Sequence, residues 1–143
     1  MRKLILLILV MPTAALAQQV QPGLWAWSSK IMSVSGPRLP PSVVASIKNE
    51  PPTTDKQCLS AAEAKEGFAN MLRKKSPDCA VSNNALVAGT ADITAICKSG
   101  GRPMTMRLRG PLSSTAFSLT ADSRSADMNM TMVFSAKRIG SCS

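Results

Sequence analysis

The residue pattern predicts an α+β fold: a curved antiparallel β-meander of about six or seven strands, barrel-like but partly open, packed with one main α-helix and held by two disulfides. Three observations predict it. Apolar and polar residues alternate in successive segments: Met104, Met106 and Leu108 against Thr105, Arg107 and Arg109; Phe117, Leu119 and Ala121 against Ser118 and Thr120; Met128, Met130, Met132 and Phe134 against Asn129, Thr131 and Ser135. Each is a strand with one buried and one wet face. Short polar or Gly/Pro turns recur at about ten-residue spacing, which marks hairpins. One well-capped helical segment interrupts the series. A sheet of that many twisted strands curls, and a helix can fill its concave side.

The chain opens with Arg2-Lys3, an apolar run from Leu4 to Met11, and Ala15-Leu16-Ala17 ahead of Gln18-Gln19. This is the pattern of a secretory signal peptide, residues 1–17, cleaved after Ala17. The run is too short to span a bilayer, so no transmembrane segment is expected in the mature chain. No Cys follows the cleavage point, so no lipid attachment is expected there. Residues 18–143 are then a single domain of ordinary size, periplasmic or secreted.

The elements follow in order. Pro22-Gly23 is a turn, and Leu24 to Val34 is a strand with Trp25, Trp27 and Ile31 on one face. Gly36 to Pro41 breaks the pattern. Ser42 to Lys48 is read as a short helix with Ser42 as N-cap, although Val43, Val44 and Ile47 suit a strand equally. Thr53 to Leu59 is a strand. Ser60-Ala61-Ala62-Glu63 is a capping box. A helix is predicted from Ala61 to Arg73, with Ala61, Ala64, Phe68, Met71 and Leu72 as its apolar stripe. Gly67 in its middle costs about 1 kcal/mol relative to Ala. Arg73, Lys74 and Lys75 complement its C-terminus, and Pro77 ends it. Strands then follow at Cys79 to Val87, Ala91 to Lys98, Pro103 to Arg109, Ser114 to Ala121 and Asp127 to Arg138.

The four cysteines, Cys58, Cys79, Cys97 and Cys142, form an even set in an oxidising compartment, which implies two disulfides. In a hairpin centred near Ala88, Cys79 faces Cys97, Val81 faces Ala95 and Asn83 faces Ile93. Opposed residues lie within disulfide reach. Cys79–Cys97 is therefore one bridge, and Cys58–Cys142 the other.

Taken together, these landmarks resemble a group of small exported bacterial proteins, the domain of unknown function 3617 family (DUF3617). The likeness rests on Pro22-Gly23-Leu24-Trp25, Cys58-Leu59-Ser60, the hairpin bounded by Cys79 and Cys97, the Met/Thr alternation of Met128 to Met132, and Arg138-Ile139-Gly140-Ser141-Cys142. It covers nearly all of the mature chain. Ala26 departs from it, since an acidic residue is usual after the tryptophan, and Ser42–Lys48 is individual to this chain. The resemblance implies a fold and a compartment, and no activity.

Composition removes several chemistries. The chain has no His and no Tyr, which excludes Ser-His-Asp and Cys-His catalysis, His-based metal sites and tyrosine acid–base work. No cysteine pair has C-x-x-C spacing, no S-x-x-K occurs, and Gly100-Gly101 is a turn, not a phosphate loop. Ser135 and Lys137 share a strand face. Glu63 and Glu66 lie one helical turn apart, but the capping box uses Glu63. The net charge of +9 falls to +7 without the leader. Export turns this cationic surplus away from nucleic acid; solubility by net charge explains it plainly, and association with an anionic envelope surface is the other reading.

No catalytic residue and no cofactor is expected. The leading expectation is a non-catalytic envelope protein that binds an apolar ligand or an unidentified envelope partner, with the Met-lined sheet as its apolar concavity. Trp25 and Trp27 are read first as core residues, with a binding surface as the alternative. Two alternatives remain. Met104, Met106, Met128, Met130 and Met132 are weak candidates for a Cu(I) site in a metal- or stress-related accessory, since thioethers suit Cu(I); the same methionines also suit a sheet core. An enzyme built from carboxylate, Lys and Ser alone would need two ionisable groups converging in a cleft, drawn from Glu50, Asp55, Asp92, Asp122 and Asp127.

Overall fold

The computed structural model describes residues 20–67, 73, 74 and 76–143. The segment read as a signal peptide lies outside them, as do Phe68, Met71 and Leu72 of the expected helical stripe. The strands are β1 (Gly23–Ser35), β2 (Thr53–Leu59), β3 (Cys79–Val87), β4 (Thr90–Ser99), β5 (Arg102–Pro111), β6 (Ala116–Arg124) and β7 (Asn129–Gly140). Helix α1 (Pro41–Asn49) separates β1 from β2, and α2 (Ala61–Lys65) follows β2. All seven strands form one antiparallel sheet in the order β2-β1-β7-β6-β5-β4-β3. From β3 to β7 the chain is a meander, and β7 then pairs with β1 from the far end of the sequence.

The sheet is not closed. Its edges are β2 and β3, which are consecutive in the chain but at opposite ends of the strand order. The connection from Leu59 to Cys79 therefore joins one edge to the other. It carries α2, whose Ala64 packs into the same core as Trp25, Leu59, Ile93 and Leu108. Residues from both ends of the strand order thus share one core, as curling requires.

Strand pleating sorts the residues. The inner face runs in rows across the strands: Ile31, Met132, Ala121, Leu108 and Ile93 in one, and Val34, Met130, Ser123, Met106, Ala95 and Val81 in the next. Ile93, Leu108, Leu119 and Ala121 are each 1% exposed or less. The intervening residues form an outer face rich in Ser, Thr, Lys and Arg.

Two expected elements are corrected. Helix α2 ends at Lys65; Arg73 and Lys74 are helical again, and residues 68–72 of the expected helix lie outside the described residues. Gly67 has φ of +80°, the left-handed C-terminal conformation that glycine adopts without strain. The glycine therefore stops the helix where a tolerated interior position had been expected. In the β3–β4 hairpin, Cys79 faces Cys97 and Val81 faces Ala95, but a bulge at Ser82 shifts the register, so Asn83 faces Thr94, not Ile93. The bulge reverses the strand's parity. Leu86 enters the core and Val87 is left 72% exposed. Ala88 and Gly89, both at positive φ, then form the two-residue turn that matches strand twist.

Ser42–Lys48 is helical, within Pro41–Asn49, but Ser42 is not its cap. Pro40 holds the N-cap position with no side-chain bond, and Pro41 begins the helix, where its fixed φ is already helical. At the other helix the capping box forms: the Glu63 amide donates to Ser60 Oγ at 3.3 Å, and the Ser60 amide donates to Glu63 Oε2 at 2.8 Å.

The two disulfides are Cys58–Cys142 and Cys79–Cys97, with Cα–Cα distances of 5.5 Å and 3.9 Å. The first ties edge strand β2 to the end of β7, past the start of β1. The second staples the β3–β4 hairpin at its open end. Gly110 lets β5 and β6 approach closely: its φ is +150°, and a Cβ there would sit 2.2 Å from the Ser118 carbonyl oxygen.

Candidate functional site

The inner face is not filled evenly. Near β1 it encloses a cavity of about 270 Å³ walled by Trp27, Met106, Leu108, Phe117 and Phe134. Ser29, Thr53, Asp55 and Ser76 also line it and provide its polar groups. The register explains the wall. Trp27 faces Ala136, which faces Phe117, and Ser29 faces Phe134, which faces Leu119. Ala136 and Ser29 are small, so space remains between the larger rings. Trp27 meets Phe117 edge-on, with ring centroids 5.2 Å apart, a favoured aromatic geometry.

Core packing was the first expectation for Trp25 and Trp27 and a binding surface the alternative, and here the structure divides them. Trp25 is 0% exposed. It sits in the core beside Leu59 and Ala64, stacks toward Phe117 at 6.3 Å, and donates its indole N–H to the Gln21 carbonyl at 3.0 Å. It is a core residue. Trp27, two positions along the same face, is half-buried and lines the cavity. Alternation identified the shared face. It carried no signal that Leu59 and Ala64 cover one end of that face and leave the other open.

The methionines are also distributed. Met106 and Met130 flank the small residue Ser123, Met132 lies beside Ala121, and Met104 lies beside Cys97. All four are half-buried inner-face residues, Met106 and Met132 pack against the core, and of the four only Met106 lines the cavity. Met128 is not in β7. It closes the β6–β7 turn, where its amide donates to Ser125 Oγ at 3.1 Å.

The carboxylates named above are held in separate places. Arg107 donates two bonds to Asp92, at 3.0 and 2.8 Å, and together with Arg109 lowers the Asp92 pKa. Asp122 accepts from the Thr131 hydroxyl at 2.8 Å, Asp127 pairs with Arg102, and Asp55 lines the cavity. Glu63 is held down at about 2, chiefly by its hydrogen bond from Lys74 and then by Ser60.

Fold and cavity together define a small, disulfide-stapled, open-sheet protein with an apolar recess on its inner face. A family model described as a protein of unknown function, DUF3617, matches residues 20–142, and the chain belongs to that family. Neither the curated proteins nor the solved structures include a match.

Proposed function

We propose that this is an exported, non-catalytic binding protein of the cell envelope whose cavity holds a small apolar ligand. The carrying observation is the recess bounded by Trp27, Phe117, Phe134, Met106 and Leu108. Its volume of about 270 Å³ is roughly twice that of an engineered apolar cavity that takes up benzene. A short acyl chain or a single aromatic ring fits that space. An apolar wall with a few polar groups to orient the ligand is the usual composition of such sites. The basic-apolar-small pattern of residues 1–17 and the two disulfides support the export half of the reading.

The test is a tryptophan-quenching titration with a brominated eight-carbon fatty acid. Taking about 0.8 kcal/mol for each buried methylene, the expected Kd is about 0.1 mM. Saturable quenching that Phe134→Asp abolishes, with the fold retained by circular dichroism, supports the reading. Quenching that never saturates, or that Phe134→Asp leaves unchanged, overturns it.

A further inference from the structure

The outer face of the sheet carries half of the basic side chains of the described residues and only two of their acidic ones. Lys30, Lys56 and Lys137 lie on its β2-β1-β7 half, and Lys98, Arg107, Arg109 and Arg124 on the other. Against these seven stand only Asp92 and Asp122 on the same face. Asp92 is engaged by Arg107 and Arg109, and Asp122 by Thr131. The rest of the described residues carry seven basic side chains against six acidic ones. Pleating has therefore concentrated the surplus on one side of the molecule.

The charges have a focus. Ala26 on β1 faces Lys56 on β2 and Lys137 on β7. The two lysines thus flank a methyl group, with their Cα atoms about 10 Å apart, twice the inter-strand distance. In the adjacent row Thr54, Ser28 and Ser135 stand side by side. These residues, with Trp27, Ala136 and the acidic Asp55, line a shallow depression of about 570 Å³. Lys56 and Lys137 are exposed and form no ion pair among the described residues.

We infer that this outer face docks the protein onto a bilayer bearing anionic phospholipids, with a headgroup phosphate between Lys56 and Lys137. Two ammonium groups and three hydroxyls supply donors suited to a phosphate diester. The remaining cations supply the longer-range attraction, and each basic residue near such a surface is worth about fivefold in affinity. A bilayer suits the face better than a nucleic acid does, because Trp27, the aromatic residue at the depression, packs its ring against Phe117 of the inner cluster and does not offer it for base stacking. The inference does not rest on the apolar cavity of the inner face, although Trp27, Ser28 and Asp55 of β1 and β2 border both recesses.

Vesicle co-sedimentation of the full, oxidised chain tests it. One set of vesicles is phosphatidylcholine alone, and the other is three parts phosphatidylcholine to one part phosphatidylglycerol. Binding to the anionic set only, weakening as salt rises, is expected. Lys56→Ala with Lys137→Ala should lower the affinity about 25-fold. The control pair Arg38→Ala with Lys48→Ala, outside the sheet face, should lower it far less. Equal binding to neutral vesicles overturns the inference. So does an equal loss in both pairs, or displacement from the vesicles by duplex DNA at matched phosphate concentration.

Discussion

Ser123 is 2% exposed, and its hydroxyl has no hydrogen-bond partner among the described residues. It sits between Met106 and Met130, which offer a hydroxyl little more than weak acceptors. An unsatisfied buried polar group costs about 1–3 kcal/mol. Ser123→Ala is therefore expected to raise stability by about 1 kcal/mol, read as a later denaturation midpoint; a loss of that size would show that the hydroxyl is satisfied after all. Glu63 makes the opposite case. Its pKa is lowered from 4.5 to about 2 in the folded protein. The stability this confers is complete above pH 4.5, shrinks as the pH falls, and is gone near pH 2. Glu63→Gln should flatten the melting temperature across that window. Asp92, also held low, leaves part of the slope in place. A variant that follows the parent curve throughout would rule out the capping box and the Lys74 pair as its source.

Among the elements, the disulfides differ most in what they constrain. Cys58–Cys142 spans 84 residues of sequence and Cys79–Cys97 only 18. By the chain-entropy model these loops contribute about 4.5 and about 3 kcal/mol. Removing Cys58–Cys142 with paired alanines should lower the melting temperature more than removing Cys79–Cys97, and the reverse order would contradict the model here. The Cys79–Cys97 pairing came out of counting from Ala88 because two departures offset each other: the turn is the two residues Ala88 and Gly89, and the bulge at Ser82 takes up the extra residue. Between Ser82 and the turn the counting is off by one, since nothing in Ser82-Asn83-Asn84 announces a bulge that the turn at Ala88-Gly89 makes necessary. The helix was misread for a related reason. A glycine in an apolar-periodic segment can be an interior position or a stop, and only the backbone angle at Gly67 distinguishes them. Strands with clean alternation, β5 to β7, were the most legible elements, shifted by only one to three residues at their ends.

The topology gives the protein its two distinct sides. Strand order was not readable, because β1 and β7 come together from opposite ends of the chain. That pairing places Trp27 beside Ala136 and within reach of Phe117, which creates the cavity, and it also sets Lys137 beside Ala26. The aromatic residues of the described segments, Trp25, Trp27, Phe117 and Phe134, all belong to one inner cluster, while the cationic surplus lies outside. Sequence spacing showed which residues share a face within each strand, and the strand order showed how those faces combine. Native mass spectrometry of the protein isolated from the envelope fraction of its own cells weighs this account as a whole. The account predicts a chain four hydrogens lighter than its reduced form, from its two disulfides, carrying a small apolar adduct that Phe134→Asp removes. A chain recovered from that fraction with four free thiols, or with no adduct at all, would contradict it.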